Sequence, residues 1–369
     1  MCSWDAPYGV IQIINTGEGK FSSVVIGNPP YIEYSVVKKD YTIFNIMCLS
    51  AGNLYAFVIE RTLKLQRIGS RNGMIIQLSA FCTPRMKVFQ DIWFKQAAFS
   101  ALSFFDDRPG KLFDNLQHIR VTITLLCKGK MNPAVATTNY IKFYSEFRPF
   151  LFQSIKYAST DTSRRNASAL KVNSPEEISI IKKVWSAKKT IQYFENPTAN
   201  DNFVYYGYGY GYFGKILNKK SFFSGEKISE STGDKYYFIR DEFDKDFFVG
   251  ILNTSLFYWF YIIYSDGHNF TKSVIGEMPV NYPDKRILKK EKEILAILME
   301  DLDKKSSIKQ CFYKSTGQVA YQEFYPKKSK GIIDSLDTMF AQEYKLSEKE
   351  LDCIISYDFK FRMGEQTQA

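Results

Sequence analysis

Histidine and regularly spaced cysteine are what this sequence lacks. Its histidines are His118 and His268 alone, and its six cysteines, Cys2, Cys48, Cys82, Cys127, Cys311 and Cys353, contain no C-x-x-C pair. That pattern offers no legible zinc site and no disulfide framework, so no metal ligand is assigned and reduced thiols in a cytoplasmic protein are expected. Long apolar runs are also scarce. Phe247 to Tyr264 comes nearest with 18 residues, but Asn253-Thr254-Ser255 interrupts it and Asp246 and Asp266 flank it. A span needs about 20 apolar residues, with basic residues at its cytoplasmic end, so this stretch is expected to be a buried helix and no membrane partner is expected. Asp5 and Pro7 break the apolar character that a signal peptide requires. Pro283-Asp284 followed by Glu291-Lys292-Glu293 lacks the acidic-x-lysine spacing of metal-dependent cleavage sites, and His268-Asn269 has no partner histidine, so no nuclease is legible.

What is present is apolar and aromatic mass. With 369 residues, 45% hydrophobic and 16% aromatic, the chain has material for two domains with real cores. Its net charge of +10 is uneven, 17 Lys and Arg against 10 Asp and Glu in residues 1–150 and 32 against 29 beyond. A basic bias suits a polyanionic partner, although a solvated basic surface has the same composition.

The most informative segment is Asn28-Pro29-Pro30-Tyr31 after the β-branched run Val24-Val25-Ile26-Gly27. Such a run reads as a buried strand, which puts the tetrapeptide at the carboxyl end of a strand, where open α/β sheets bind ligands. An exocyclic amino group is a poor nucleophile because its lone pair is delocalised into the ring. Two acceptors that bind both amino hydrogens, here the Asn28 side chain and the Pro29 carbonyl, push that nitrogen toward tetrahedral geometry. Paired prolines hold the acceptors in place beforehand, and Tyr31 offers a flat face to a base that has left its stack. Asn-Pro-Pro also occurs in ordinary turns; the strand before it and the helical stretch after it favour the site.

Further along, Asn53 to Arg67 has helical spacing closed by Gly69, Met74 to Leu78 reads as a strand, Pro84 opens a helix, and Ala101 to Phe105 and Val121 to Cys127 read as strands. This alternation predicts a sheet covered by helices, part of a doubly wound domain over residues 20–130. Beyond Asn132-Pro133 the sequence becomes irregular and aromatic. Tyr205 to Gly214 alternates tyrosine with glycine, which reads either as rings set beside a nucleic-acid backbone or as a twisted hairpin whose tyrosines pack on one another. Residues 286–305 have a charged helical pattern, and 331–356 hold another helix or pair.

Several segments together resemble the adenine-specific (N6) DNA methyltransferases of type II restriction-modification systems, including methyltransferase-nuclease fusions. Val24 to Ile32 is similar to their catalytic loop, and Asn53 to Leu65 to the helix that follows it. Gly73 to Phe81, Arg108 to Phe113 and Val121 to Lys128 are similar to the end of their catalytic domain. Leu256 to Phe260 with Ile275 to Pro279, and Ile332 to Gly364, are similar to their target-recognition domain and tail. The resemblance implies an α/β fold: a partial doubly wound (Rossmann-like) methyltransferase domain, an α+β target-recognition domain and a helical C-terminal tail. The expected boundaries are 1–130, 131–284 and 285–369. It implies methyl transfer from S-adenosylmethionine to the N6 of an adenine flipped out of double-stranded DNA, as part of restriction-modification. Asn28, Pro29, Pro30 and Tyr31 would be the catalytic residues, Phe113 a second wall against the base, and Arg108, Lys111 and Arg120 phosphate contacts. Serine in place of Asn28 would favour cytosine N4.

The chain departs from that family in one respect. The family holds S-adenosylmethionine on a glycine-rich turn upstream of the catalytic loop, and no such motif is found here, so the cofactor-binding residues are unassigned. Gly17-Glu18-Gly19 is separated from Asn28 by 8 residues, too few for βαβ units of about 30 residues. Gly207-x-Gly209-x-Gly211 is the downstream candidate for a permuted order, with bulky tyrosines between its glycines. The expected partners are therefore double-stranded DNA and a second polypeptide, supplying either the cofactor-binding half or a restriction nuclease. The alternative reading is a catalytically incomplete DNA-binding specificity fragment of a split or truncated methyltransferase.

Overall fold

A computed structural model describes residues 2–6, 9–14, 22–114, 118–129, 134–160 and 168–364, with backbone alone at 2–6, 9–14, 22 and 23. The chain divides into two units, Met1–Pro175 with Ile263–Asp266, and Glu176–Ile262 with Gly267–Ala369. The boundary expected at residues 130/131 falls inside the first.

The first unit is built on an eight-stranded sheet: β1 (Cys2–Ala6), β2 (Gly9–Ile14), β3 (Ser22–Asn28), β4 (Gln66–Gln77), β5 (Ala97–Phe105), β6 (Val121–Lys128), β7 (Ala134–Ile141) and β8 (Ala158–Thr160), in the order β1-β2-β3-β4-β6-β5-β7-β8. After the short α1 (Tyr34–Val37), helix α2 (Leu54–Leu65) joins β3 to its parallel neighbour β4, and α3 (Lys87–Gln96) joins β4 to β5. β6 is threaded antiparallel between β4 and β5, so β3, β4, β5 and β7 all run in one direction. β2 runs antiparallel to β3. The sheet is therefore mixed rather than the parallel sheet of a doubly wound domain. An α/β fold stands; the parallel order does not extend past β3, because β1 and β2 form a hairpin there.

Local sequence explains these elements. Asn53 caps α2, its side chain accepting from the Tyr55 N–H at 3.4 Å. The helix buries Leu54, Phe57, Ile59 and Leu63 and ends at Leu65; Gln66 and Arg67, expected to be helical, already belong to β4. Pro84 opens a short 3-10 turn that runs into α3, whose Trp93 indole donates to Ser100 Oγ at 2.8 Å. Period-two alternation then sorts the sheet faces. Asn72, Met74 and Ile76 of β4 point to the buried face, where Asn72 donates to Thr62 of α2. The register Ile26↔Gly73↔Leu125 and Ile75↔Ile123 places those residues on the opposite face, where Ile26 and Leu125 are each 51% exposed.

The second unit is α+β. It contains α4 (Pro175–Val184), β9 (Lys189–Thr190), β10 (Phe203–Gly207), β11 (Ile216–Leu217), β12 (Phe223–Gly225), β13 (Asp234–Phe238), α5 (Lys245–Leu252), α6 (Ser255–Tyr264), α7 (Lys272–Glu277) and β14 (Pro279–Val280). It continues with α8 (Lys285–Lys305), β15 (Ser307–Tyr313), β16 (Gly317–Glu323), α9 (Lys330–Glu343), α10 (Glu348–Ser356) and α11 (Phe359–Met363). The apolar stretch 247–264 is buried as expected but forms two helices, α5 and α6, bent by 70° at Asn253-Thr254. Thr254 Oγ1 accepts from Phe257 N–H, and the buried Asp337 carboxylate accepts from Ser255 and Leu256 N–H at 3.1 Å each, so a second helix start is satisfied at the bend. Among the described residues no single helix is long and apolar enough to cross a membrane. The stretch 285–369, expected to be helical, also holds the β15–β16 hairpin, which pairs with β12 and ties it to the rest of this unit.

Candidate active site

The carboxyl ends of the parallel strands β3, β4 and β5 bring three connections together in the first unit. Asn28 ends β3, its backbone still in register with Val10, and its side chain is exposed with no hydrogen-bond partner among the described residues. Pro29 is buried and Pro30 half-buried. Tyr31 is half-buried: its hydroxyl donates to the Ile75 carbonyl at 3.0 Å and its ring meets Tyr55 edge-on, centroids 6.2 Å apart. Burial pushes the Tyr31 phenol well above its ordinary pKa, so it stays neutral.

Downstream of the tetrapeptide the chain is clamped. The Ile32 carbonyl accepts from Leu54 N–H at 2.9 Å, and Tyr34 N–H donates to the Gly52 carbonyl at 2.8 Å. Gly52 has φ of 68°, which glycine adopts without penalty. Glu33 takes a two-point bond from Arg85, at 2.7 and 3.0 Å, and accepts from Asn53 at 3.3 Å. The loop that presents Asn28 is thus fixed from the start of α2 and from the turn before α3. Asn53 was legible as a helix start; Glu33 and Arg85 carry no sequence signal, since 52 residues separate them.

At the end of β5, Asp106 and Asp107 are buried around Arg120, at 2.9 and 3.2 Å. Burial raises the Asp106 pKa; for Arg120, burial works against the charge, but Tyr140 and the two aspartates hold the guanidinium protonated. Arg120, 17% exposed, is committed to these carboxylates. Arg108 is 68% exposed, 4.0 Å from Asp107, and lies 3.3 Å from His118 Nδ1. Lys111 is half-buried and its carbonyl accepts from Arg148, while Phe113 is 40% exposed. At Gly110 any Cβ would meet the Phe143 carbonyl oxygen at 2.5 Å, so only glycine lets these chains approach. The two loops share one cluster: Tyr31, Ile75 and Ile123 pack against Phe105, Leu112, Val121, Phe143 and Leu151.

Beside Asn28, on the less covered sheet face, lies a depression of about 390 Å³ lined by Ile26, Gly27, Asn28, Gly73, Met74, Ile75, Ile123 and Leu125. Asn28 is its one polar side chain. S-adenosylmethionine carries a ribose, an ammonium and a carboxylate, each needing a polar or charged partner; this lining does not fit it. Gly207 ends β10 and is followed by bends and turns rather than a helix, so the permuted glycine candidate lacks the strand-to-helix turn. Gly17-Glu18-Gly19 lies outside the described residues. The tyrosine-glycine run mostly packs on itself and its surroundings: of its five tyrosines Tyr205, Tyr206 and Tyr210 are buried, Tyr210 stacking on Tyr261 at 4.8 Å, Tyr212 is half-buried and Tyr208 is largely exposed. Among the described residues no group of three His, Cys, Asp or Glu side chains is placed to hold a metal ion.

Comparison with known proteins bears out the resemblance. Residues 3–110 match the model of the Eco57I restriction-modification methylase family. The fold is similar to that of the Type IIL restriction-modification enzyme MmeI, solved in complex with DNA, with a TM-score of 0.50 and 10% identity over 92% of this chain and 56% of that one. Weaker likenesses include a nuclease-deletion mutant of the Type ISP enzyme LlaGI with a DNA substrate mimic, at TM-score 0.33 and 15% identity over 50% of this chain and 20% of that one. Another is a modification subunit of a putative type I restriction enzyme from Vibrio vulnificus YJ016, at 0.27 and 10% over 43% and 38%. The chain spans about half the length of MmeI and a fifth of that of LlaGI. No curated protein matches it.

Proposed function

We propose that this chain is the base-binding and target-recognition portion of a site-specific adenine-N6 DNA methyltransferase of a restriction-modification system. The observation that carries the reading is the free, exposed Asn28 amide on a clamped Asn-Pro-Pro-Tyr loop at the carboxyl ends of parallel strands, within the segment that matches the methylase family. Asn28 Oδ1 and the Pro29 carbonyl accept the two amino hydrogens of a flipped adenine. The Tyr31 ring stacks on the base, its hydroxyl serving as a tether rather than a proton donor. Phe113 closes the second side, and Arg108 and Lys111 contact phosphates; Arg120 instead braces the loop through Asp106 and Asp107. The second unit, from Glu176 onward, reads the target sequence.

A second reading has a specific observation behind it. β2 lies antiparallel on β3, where a parallel cofactor-binding half would continue the sheet, and the depression beside Asn28 lacks the polar lining that S-adenosylmethionine needs. On this reading the chain binds DNA and the methyl donor is held by a second polypeptide. Calorimetry of the purified chain with S-adenosylmethionine, with and without duplex DNA, separates the two. Binding together with transfer of radiolabelled methyl to DNA, lost in Asn28→Ala, supports a self-sufficient enzyme. DNA binding without cofactor binding supports the split form, and absence of both overturns the proposal.

A further inference from the structure

Beside the catalytic loop, the segment from Tyr144 to Tyr157 shows more aromatic surface than the unit needs for its own core. Phe150 is 63% exposed, Phe152 61%, Phe147 49% and Tyr157 46%. These rings are not on a loose strand. Phe143 and Leu151 are buried in the cluster that Tyr31 packs against, Arg148 binds Asp114 at 2.7 Å and the Lys111 carbonyl at 2.8 Å, and the Tyr157 and Ser103 hydroxyls bond at 2.7 Å. Phe152 also meets the buried Phe105 edge-on at 6.3 Å. Cations flank the segment: Lys156 within it and Arg108 on the neighbouring loop are exposed and Lys142 is half-exposed, while of the acids Asp114 is bound by Arg148 and Glu146 is exposed.

Rigidly held flat rings beside cations match unstacked nucleotides, whose bases have a π face and whose backbone is anionic. An apolar protein partner would account for the rings but not for the cations beside them. Removing an adenine from a duplex also leaves a gap and an orphaned partner base, and apolar side chains set between bases are a general way to hold such an opening. We propose that residues 144–157 form a stacking platform for the nucleotides next to the flipped adenine, with Phe150 and Phe152 making the contact. This rests on the base-flipping reading above, through continuity with the Tyr31 cluster.

The test uses the full chain and fluorescence anisotropy with three fluorescein-labelled probes: a paired duplex, the same duplex with an abasic site opposite an adenine, and a single strand. The expected result for F150A/F152A is weaker binding of the abasic duplex and the single strand, roughly five- to 150-fold for each ring lost, with paired-duplex binding changed less than about twofold. F150W/F152W, which keeps flat rings, restores affinity, and the single variants guard against a folding defect in the pair. Affinities equal to wild type on every probe overturn the platform. If Tyr31→Ala weakens abasic-duplex binding and F150A/F152A does not, the platform is overturned while the methyltransferase reading stands; a wild-type chain that binds none of the probes overturns both.

Discussion

Tyr31 has two separable parts, and replacing each in turn tests whether its ring or its hydroxyl matters to a bound base. Tyr31→Phe removes the 3.0 Å bond to the Ile75 carbonyl and leaves the ring on the Phe105 and Leu112 cluster. A neutral hydrogen bond contributes about 1 kcal/mol net, so urea denaturation should show a loss of about that size. Tyr31→Ala also removes half-buried aromatic surface; a fully buried aromatic truncation costs about 3–5 kcal/mol, and half of that, about 2 kcal/mol, is expected here. Base affinity should divide differently. Tyr31→Phe should bind an abasic-site duplex within about twofold of wild type, and Tyr31→Ala should bind it roughly five- to 150-fold more weakly. Because burial keeps the phenol neutral, that affinity should not change between pH 6 and 9 on account of Tyr31. A Tyr31→Phe chain that is as stable as wild type yet loses as much base affinity as Tyr31→Ala would refute this division, since the hydroxyl would then be reading the base.

Three further outcomes follow from buried groups. Burial pushes the Asp337 carboxyl up to about 6 against the bonds from Ser255 and Leu256; the folded state then holds a proton that the unfolded state releases, so Asp337 makes stability fall as pH rises from about 4 to 6, by roughly 3 kcal/mol. Asp337→Asn should remove that slope in denaturation curves taken across the interval, and an unchanged slope would place the titration elsewhere. Glu291 is fully buried with neither carboxylate oxygen hydrogen-bonded among the described residues, and burial with Asp244 and Asp246 raises it to about 9. The charged form is disfavoured, so Glu291→Gln should match wild type in melting temperature near pH 5 and exceed it near pH 9; a variant that is no more stable near pH 9 would count against a protonated Glu291. Asn53→Ala should cost about 1–2 kcal/mol by uncapping α2, whereas Arg85→Ala, at an exposed pair, should cost less than about 1 kcal/mol; equal losses would mean that the Glu33 clamp rather than the cap holds the loop.

The sequence made the site legible where local rules decide it. Val24 to Gly27 could only be a strand before two prolines, Asn53 begins α2, and Pro84 leads into α3. Long-range pairing was not legible. The insertion of β6 between β4 and β5 depends on register between residues 50 apart, such as Met74 and Thr124, which no local pattern encodes. The bend between α5 and α6 was visible as a polar interruption, but its cap comes from Asp337, 82 residues beyond Ser255. The pairing of Arg120 with Asp106 and Asp107 was not legible either, because it appears only once β5 and β6 pair.

The less covered sheet face and the apolar lining beside Asn28 are one problem. Strands that run parallel are normally buried on both faces, yet α2 and α3 serve one face, and Ile26 and Leu125 stand half in water on the other, the face that also carries Asn28. Any element that covers Ile26 and Leu125 therefore brings its own atoms to the edge of the Asn28 amide, which is where a methyl donor has to be presented. In the isolated chain Leu125→Gln should be nearly neutral, at most about 1 kcal/mol, because about half the side chain is already hydrated. Urea denaturation at several protein concentrations measures this. A loss of several kcal/mol that deepens with protein concentration would mean that a second copy of the chain covers the face, and the donor half would then have to approach Asn28 from another side.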